Sequence, residues 1–176
     1  CHAVLVWSGH WALPSNLNLN RRKRLIMSSA VEEALRRAKE AAGNVVDSGA
    51  NQGGSAVATV GEVARVCPRI ISAVFNTEQL ADVIEGKGGV LESAAGAPRT
   101  MLNVTTSDPD KVAALAARIA PKGVTLLEVP ISGTSEQIVQ GDGVGLIGGE
   151  RAAFEACGDI LDAICPKRYF TGAVGN

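Results

Sequence analysis

The chain has 176 residues, the length of one domain or of one domain with an appendage. Hydrophobic residues make up 46% and aromatics only 3%, so the core must be built from Val, Ile, Leu and Ala, which suits a parallel sheet covered by helices. The net charge of −1 directs no global field at nucleic acid, and no apolar run approaches the roughly 18 residues of a membrane helix.

The first 27 residues differ in character from the rest. They hold both tryptophans, an Asn/Leu run from Asn16 to Asn20 and the basic cluster Arg21-Arg22-Lys23-Arg24, read as a solvated charge run. Ser29-Ala30-Val31-Glu32 is a capping-box pattern, and Val31, Ala34, Leu35, Ala38 and Ala42 recur at helical spacing up to Gly43. Residues 44–54 are polar and glycine-rich, and Val60 to Val66 reads as a short helix.

A β/α alternation follows. Arg69 to Phe75 is a strand with no polar face, and Thr77 is expected to cap a helix running to about Gly86. Arg99 to Thr105 is the next strand. Ser107-Asp108-Pro109 opens a helix with a polar cap and Pro in its first turn. Val112, Leu115, Ala116 and Ile119 form that helix's buried stripe, and Gly123 ends it. Val124 to Val129 and Val144 to Ile147 read as strands, joined by a glycine-punctuated loop. Glu150 to Ile164 reads as one amphipathic helix, and Lys167 to Phe170 as a last strand. Strands alternating with helices of about ten to fifteen residues predict an α/β fold with a mostly parallel sheet covered on both faces.

The four cysteines (Cys1, Cys67, Cys157 and Cys165) show no zinc-ligand spacing and no CxxC, and read as small core hydrophobes in a reducing compartment, the cytoplasm or an organellar matrix. His2 and His10 are too few and too terminal for a metal site.

In an open α/β sheet, ligands sit beyond the carboxyl ends of the strands. Three such ends carry small or hydroxyl residues: Val74-Phe75-Asn76, Thr105-Thr106-Ser107 and Ser132-Gly133-Thr134. Hydroxyls and free N–H groups there suit phosphate, ribose or carboxylate oxygens. Plain helix capping is the competing explanation for each. Glu128 and Asp142 flank the Ser-Gly turn, and the simpler reading makes each a solvated loop carboxylate. No Ser-His-Asp set and no paired carboxylates at a credible spacing occur, so no catalytic residue is assigned.

Thr105-Thr106 after a strand, then Pro109, Val129-Pro130-Ile131-Ser132-Gly133, the glycine-bounded loop, Leu146-Ile147-Gly148-Gly149 and Gly172-Ala173-Val174-Gly175-Asn176 together resemble the β-hydroxyacid dehydrogenases. That family includes 3-hydroxyisobutyrate dehydrogenase and the glyoxylate/succinic semialdehyde reductases, relatives of 6-phosphogluconate dehydrogenase. The resemblance runs from about residue 53 to Asn176, with its most specific part from Pro130 to Gly149. It implies an α/β, Rossmann-like, doubly wound domain. It also implies that Val74, Phe75 and Thr106 contact NAD or NADP and that Ser132, Gly133 and Thr134 hold a small hydroxy acid; Asn76 and Thr105, at the same strand ends, are further cofactor-binding candidates. No nucleic-acid or membrane partner is expected.

The chain departs from that family in several places. Thr134 stands where the substrate turn has a second glycine, and Glu128 where the motif opens with aspartate. The family's catalytic lysine is expected beyond Asn176, with the C-terminal helical domain. The chain taken alone is therefore expected to lack turnover, because nothing in it relays the substrate proton. At the front, Ala3 to Pro14 has the outline of the dinucleotide-binding turn, with Gly9 and Ala12 as cofactor-binding positions, but Trp7 replaces its first glycine. Residues 1–44 are thus expected to form an atypical first part of the dinucleotide-binding domain, an altered N-terminal β-α-β unit, and 45–176 the remainder. Asn20-Arg21-Arg22 resembles the Asn-Arg pair that binds a ribose 2′-phosphate in NADP-dependent members. Two alternatives stay open: a non-catalytic interaction module that has lost cofactor binding, and an unrelated flavodoxin-like fold with loops on the same edge.

Overall fold

The computed structural model describes residues 5–6, 57, 59–94 and 96–176. The expected helix after Ser29, the basic cluster, Trp7, Gly9, Ala12 and the boundary at residue 44 all lie outside these residues. From Thr59 onward, with β1 (Leu5–Val6), the described chain forms one compact unit.

Local chemistry fixes the element starts. Helix α1 (Val60–Val66) opens on a capping box in which Thr59 Oγ1 accepts from Glu62 N–H and Glu62 Oε2 from Thr59 N–H. Strand β2 (Arg69–Ser72) leads to α2 (Thr77–Glu85), which is capped by Asn76 and not by Thr77 as expected. The Asn76 carboxamide accepts from Gln79 N–H, and Thr77 turns inward, buried. A short α3 (Val90–Ser93) precedes β3 (Arg99–Asn103). Helix α4 (Pro109–Ile119) starts as expected on Asp108 with Pro109 in its first turn. A 3₁₀ turn (Ala120–Lys122) follows, and Gly123 closes it in the left-handed region at φ 84°.

Strand β4 (Val124–Glu128) bends at Val129-Pro130 into the two-residue β5 (Ile131–Ser132). The loop expected to follow contains a one-turn helix, α5 (Ser135–Val139), before β6 (Val144–Gly148). The single helix expected over 150–164 is two, α6 (Arg151–Ala156) and α7 (Gly158–Ile164), broken at Cys157. Strand β7 (Lys167–Gly172) ends the sheet.

Seven strands form one sheet in the order β1-β2-β3-β4-β6-β5, with β7 also paired to β6. Strands β1 to β4 are parallel, and β7 runs parallel to β6. Strand β6 is antiparallel to both β4 and β5. It meets β4 only where Gly148 lies opposite Glu128, and its earlier residues pair with β5. The β5–β6 pair therefore carries on past the carboxyl ends of the parallel strands.

Alternation along the strands builds two cores. Ile70, Met101 and Leu126 face one side, under Val63, Leu80, Ile84, Val112, Leu115 and Ile119 of α1, α2 and α4. Ile71, Leu102, Leu127 and Ile147 face the other, against Ile160 and Leu161 of α7 and Cys157 at the break between α6 and α7. Each fully buried Leu or Ile of these rows stabilises the fold by about 1.5–3 kcal/mol. This is the doubly wound arrangement, with helices on both faces. Cys67, Cys157 and Cys165 are buried in these cores, and desolvation pushes the Cys157 and Cys165 thiols up, so they are packing groups, not nucleophiles. Cys1 lies outside the described residues.

Candidate functional site

The carboxyl ends of β2 and β3 turn over side by side, and hydrogen bonds tie their loops together. The Thr105 hydroxyl accepts from Val74 N–H at 2.8 Å and donates to Val74 C=O at 2.7 Å. Asp108 N–H donates to Thr77 Oγ1 at 2.9 Å, and Val104 N–H to Ser72 C=O at 3.0 Å. Behind them, Ser72 and Asn103 are buried, with Ser72 Oγ donating to Asn103 Oδ1. Neither residue was expected from the sequence to matter. The available signal was a polar residue closing each strand directly after its apolar pair, Ile70-Ile71 and Met101-Leu102.

Of the residues expected at a cofactor, Val74 is buried and Thr105 half-buried with its hydroxyl committed to Val74. Asn76 spends its carboxamide on the α2 cap. Phe75 is 73% exposed, its N–H held by Gln79 Oε1 at 3.0 Å. Thr106 is exposed and its hydroxyl makes no hydrogen bond among the described residues. The surface this edge offers is therefore the Phe75 ring, the Thr106 hydroxyl and loop backbone. Thr105 and Asn76 brace it, and Val74 packs into the core beneath.

Ser132, Gly133 and Thr134 lie together, all exposed, in the turn from β5 to α5. Gly133 sits at φ 147°, a conformation that favours glycine, while a Cβ on it would make only ordinary contact with Gly143 Cα at 3.4 Å. Thr134 has a local reason: it caps α5 in a capping box with Gln137. Asp142 forms an exposed ion pair with Lys167. No hydrogen bond among the described residues joins this turn directly to the Phe75–Thr106 edge. Between the two, Val129 N–H donates to Asn103 C=O at 2.7 Å.

Glu128 is not the solvated carboxylate expected. It is half-buried, and Oε2 accepts from Gly175 N–H at 2.6 Å, holding the last turn of the chain to the end of β4. Gly148-Gly149, at the end of β6, is bare for internal packing. A Cβ on Gly148 would lie 2.9 Å from Ala173 C=O, and one on Gly149 would lie 2.6 Å from Leu127 Cδ2. A separate cavity of about 320 Å³, lined mainly by Ala113, Ala116, Ala117, Leu126 and Val174, contains none of the expected site residues.

Comparison with known proteins agrees with the fold. The model of the NAD binding domain of 6-phosphogluconate dehydrogenase matches residues 25–172. The chain is 30% identical over 118 residues to the cytokine-like nuclear factor N-PAC of Xenopus tropicalis, covering 67% of this chain and 22% of that protein. It is 30% identical over 125 residues to L-threonate dehydrogenase of Cupriavidus necator, covering 70% of this chain and 41% of that protein. Mycobacterium tuberculosis 3-hydroxyisobutyrate dehydrogenase superposes with a TM-score of 0.63 at 19% identity, over 73% of this chain and 43% of that one. The chain thus spans less than half the length of each of these proteins. The family excludes the flavodoxin-like alternative, and the chain belongs to the 6-phosphogluconate dehydrogenase family of NAD-binding domains, with a Rossmann-like fold.

Proposed function

We propose that the chain is the dinucleotide-binding part of a dehydrogenase or reductase acting on a small 3-hydroxy acid or semialdehyde, and that by itself it turns nothing over. The observation that carries this reading is the braced edge of β2 and β3, where Phe75 and Thr106 face outward while Thr105, Asn76 and Thr77 hold the loops from behind. Preformed loops at the carboxyl ends of parallel strands suit a flat dinucleotide, because little ordering is left to be done on binding. NAD or NADP bound there would supply the hydride donor or acceptor. The Phe75 ring offers apolar contact, and the Thr106 hydroxyl a hydrogen bond to ribose or phosphate. At the exposed turn, the Ser132 hydroxyl and Gly133 backbone offer partners for a carboxylate. Similarity to L-threonate dehydrogenase and 3-hydroxyisobutyrate dehydrogenase supports the substrate class.

Fluorescence titration with NADH and NADPH tests the reading. Saturable binding tighter than about 1 mM for one of them is expected, with no oxidation of 3-hydroxy acids. Measurable turnover by the 176-residue chain would overturn its assignment as the binding part alone. A second reading, a non-catalytic interaction module without cofactor, is favoured by the similarity to a nuclear factor and by Thr134 in the substrate turn. Absence of dinucleotide binding in the same titration would select it.

A further inference from the structure

Ser72 and Asn103 are both fully buried (0% exposed) at the last positions of neighbouring strands, in register with each other. Each follows an apolar residue, Ile71 and Leu102, that packs in the second core. Burying a hydroxyl and a carboxamide has a desolvation cost, and an apolar pair of similar shape would fill the same space without it. What an apolar pair could not do is hold the loops. Asn103 Nδ2 donates to Thr105 C=O at 3.1 Å and to Ser107 Oγ at 2.9 Å, while Oδ1 accepts from Ser72 at 3.2 Å. The Thr105 carbonyl can only accept, which fixes which end of the amide faces it. Thr105 in turn grips both backbone groups of Val74. One carboxamide therefore stands behind two loops: it sets the Thr105–Ser107 backbone directly and the Val74–Phe75 backbone through Thr105.

We infer that Asn103 is a positioning residue for dinucleotide binding, locking the Phe75 and Thr106 loops against each other before the ligand arrives. This rests on the dinucleotide reading above. Preorganisation raises affinity by removing the ordering cost, so loosening the lock weakens binding while the contact surface stays chemically the same.

The test uses the 176-residue chain and three variants: Asn103→Asp, Ser72→Ala and, as a packing control deeper in the core on the same side of the sheet, Ile119→Val. Binding of NADH and NADPH is measured by fluorescence, stability by thermal unfolding, and local opening by amide hydrogen exchange. Asn103→Asp keeps the shape but removes both donors. It is expected to lose at least about tenfold in affinity, with Val74 N–H exchanging at least about tenfold faster and Leu115 N–H in α4 unchanged. Ser72→Ala is expected to give a smaller loss in the same direction, and it carries the test if Asn103→Asp fails to fold. Ile119→Val is expected to lower the melting temperature and leave affinity intact. Affinity losses that merely track melting temperature across all three variants would overturn the proposal, as would unchanged affinity in the Ser72 and Asn103 variants. If the parent chain binds neither dinucleotide, the dinucleotide reading fails, and the lock is judged by exchange alone: faster Val74 N–H exchange supports it and unchanged exchange overturns it.

Discussion

At the β2–β3 edge, the bonds that shape the loops join residues 31 apart in sequence: Ser72 to Asn103, Val74 to Thr105, Thr77 to Asp108. In the turn after β5, the shaping bonds are local. Thr134 and Gln137 cap each other three residues apart, and Asp142 N–H reaches Gln137 C=O. The first edge therefore takes its geometry from the assembled sheet, while the second closes within one short helix. Long-range bracing gives a surface that forms only with the fold and is then rigid. Local capping makes the shape of the Thr134–Gln137 turn independent of the β2–β3 edge. At Gly148-Gly149, where the end of β6 meets β4, close packing takes over from side-chain bonds.

The largest expected effect comes from that junction. Gly149 sits at φ 146°, and a Cβ there would lie 2.6 Å from Leu127 Cδ2 and 3.0 Å from Leu126 C=O. Gly149→Ala is expected to cost about 2–5 kcal/mol in chemical denaturation, combining overpacking with backbone strain. Next, Thr105→Val leaves both backbone groups of Val74 without their partner. About 1–3 kcal/mol of stability is expected to go, together with dinucleotide affinity. Thr134→Ala removes the α5 cap, at about 1 kcal/mol or less because the turn is exposed, and dinucleotide affinity is expected to be unchanged. Loss of dinucleotide affinity in Thr134→Ala, or its retention in Thr105→Val, would erase the contrast between the two regions.

The smallest effect is electrostatic. Arg69 at the start of β2 grips Asp159 of α7 through two hydrogen bonds, at 2.5 and 2.9 Å, holding the carboxyl below the usual range and the guanidinium above its own. A depressed carboxyl contributes stability that is present above its unfolded pKa and is lost as pH falls through the folded value. The loss is therefore expected below about pH 4. Asp159 is largely exposed, so the contribution is screened and small. Asp159→Asn is expected to flatten the acid limb of a stability–pH curve slightly and leave the neutral plateau almost unchanged.

Much of the fold was legible because its rules are local. The Asp108-Pro109 helix start and the alternation of Ile70 and Ile71 each follow from a few adjacent residues. The break at Cys157 was not legible. Ala153, Phe154, Ile160, Leu161 and Ile164 keep one apolar phase across it, and Leu161 N–H still reaches Cys157 C=O, so periodicity carries no mark of the interruption. Strand direction was hidden in the same way, since apolar alternation in β6 is identical for parallel and antiparallel pairing. At the site, the strand ends were found but not the division of labour within them. Thr105, Asn76 and Thr134 look like ligand donors in sequence because capping, bracing and ligand binding use the same oxygen chemistry. Asn103 acts through partners four residues on and 31 residues back, which no local pattern displays.

Amide chemical-shift mapping during titration with NADH and NADPH tests directly whether the Phe75–Thr106 edge receives a nicotinamide dinucleotide. Saturable shifts centred on Phe75 and Thr106 are expected, with a Kd below about 1 mM for one of the two and little change across α7. Shifts confined to residues away from the β2–β3 edge, or none at millimolar ligand, would contradict binding at that edge.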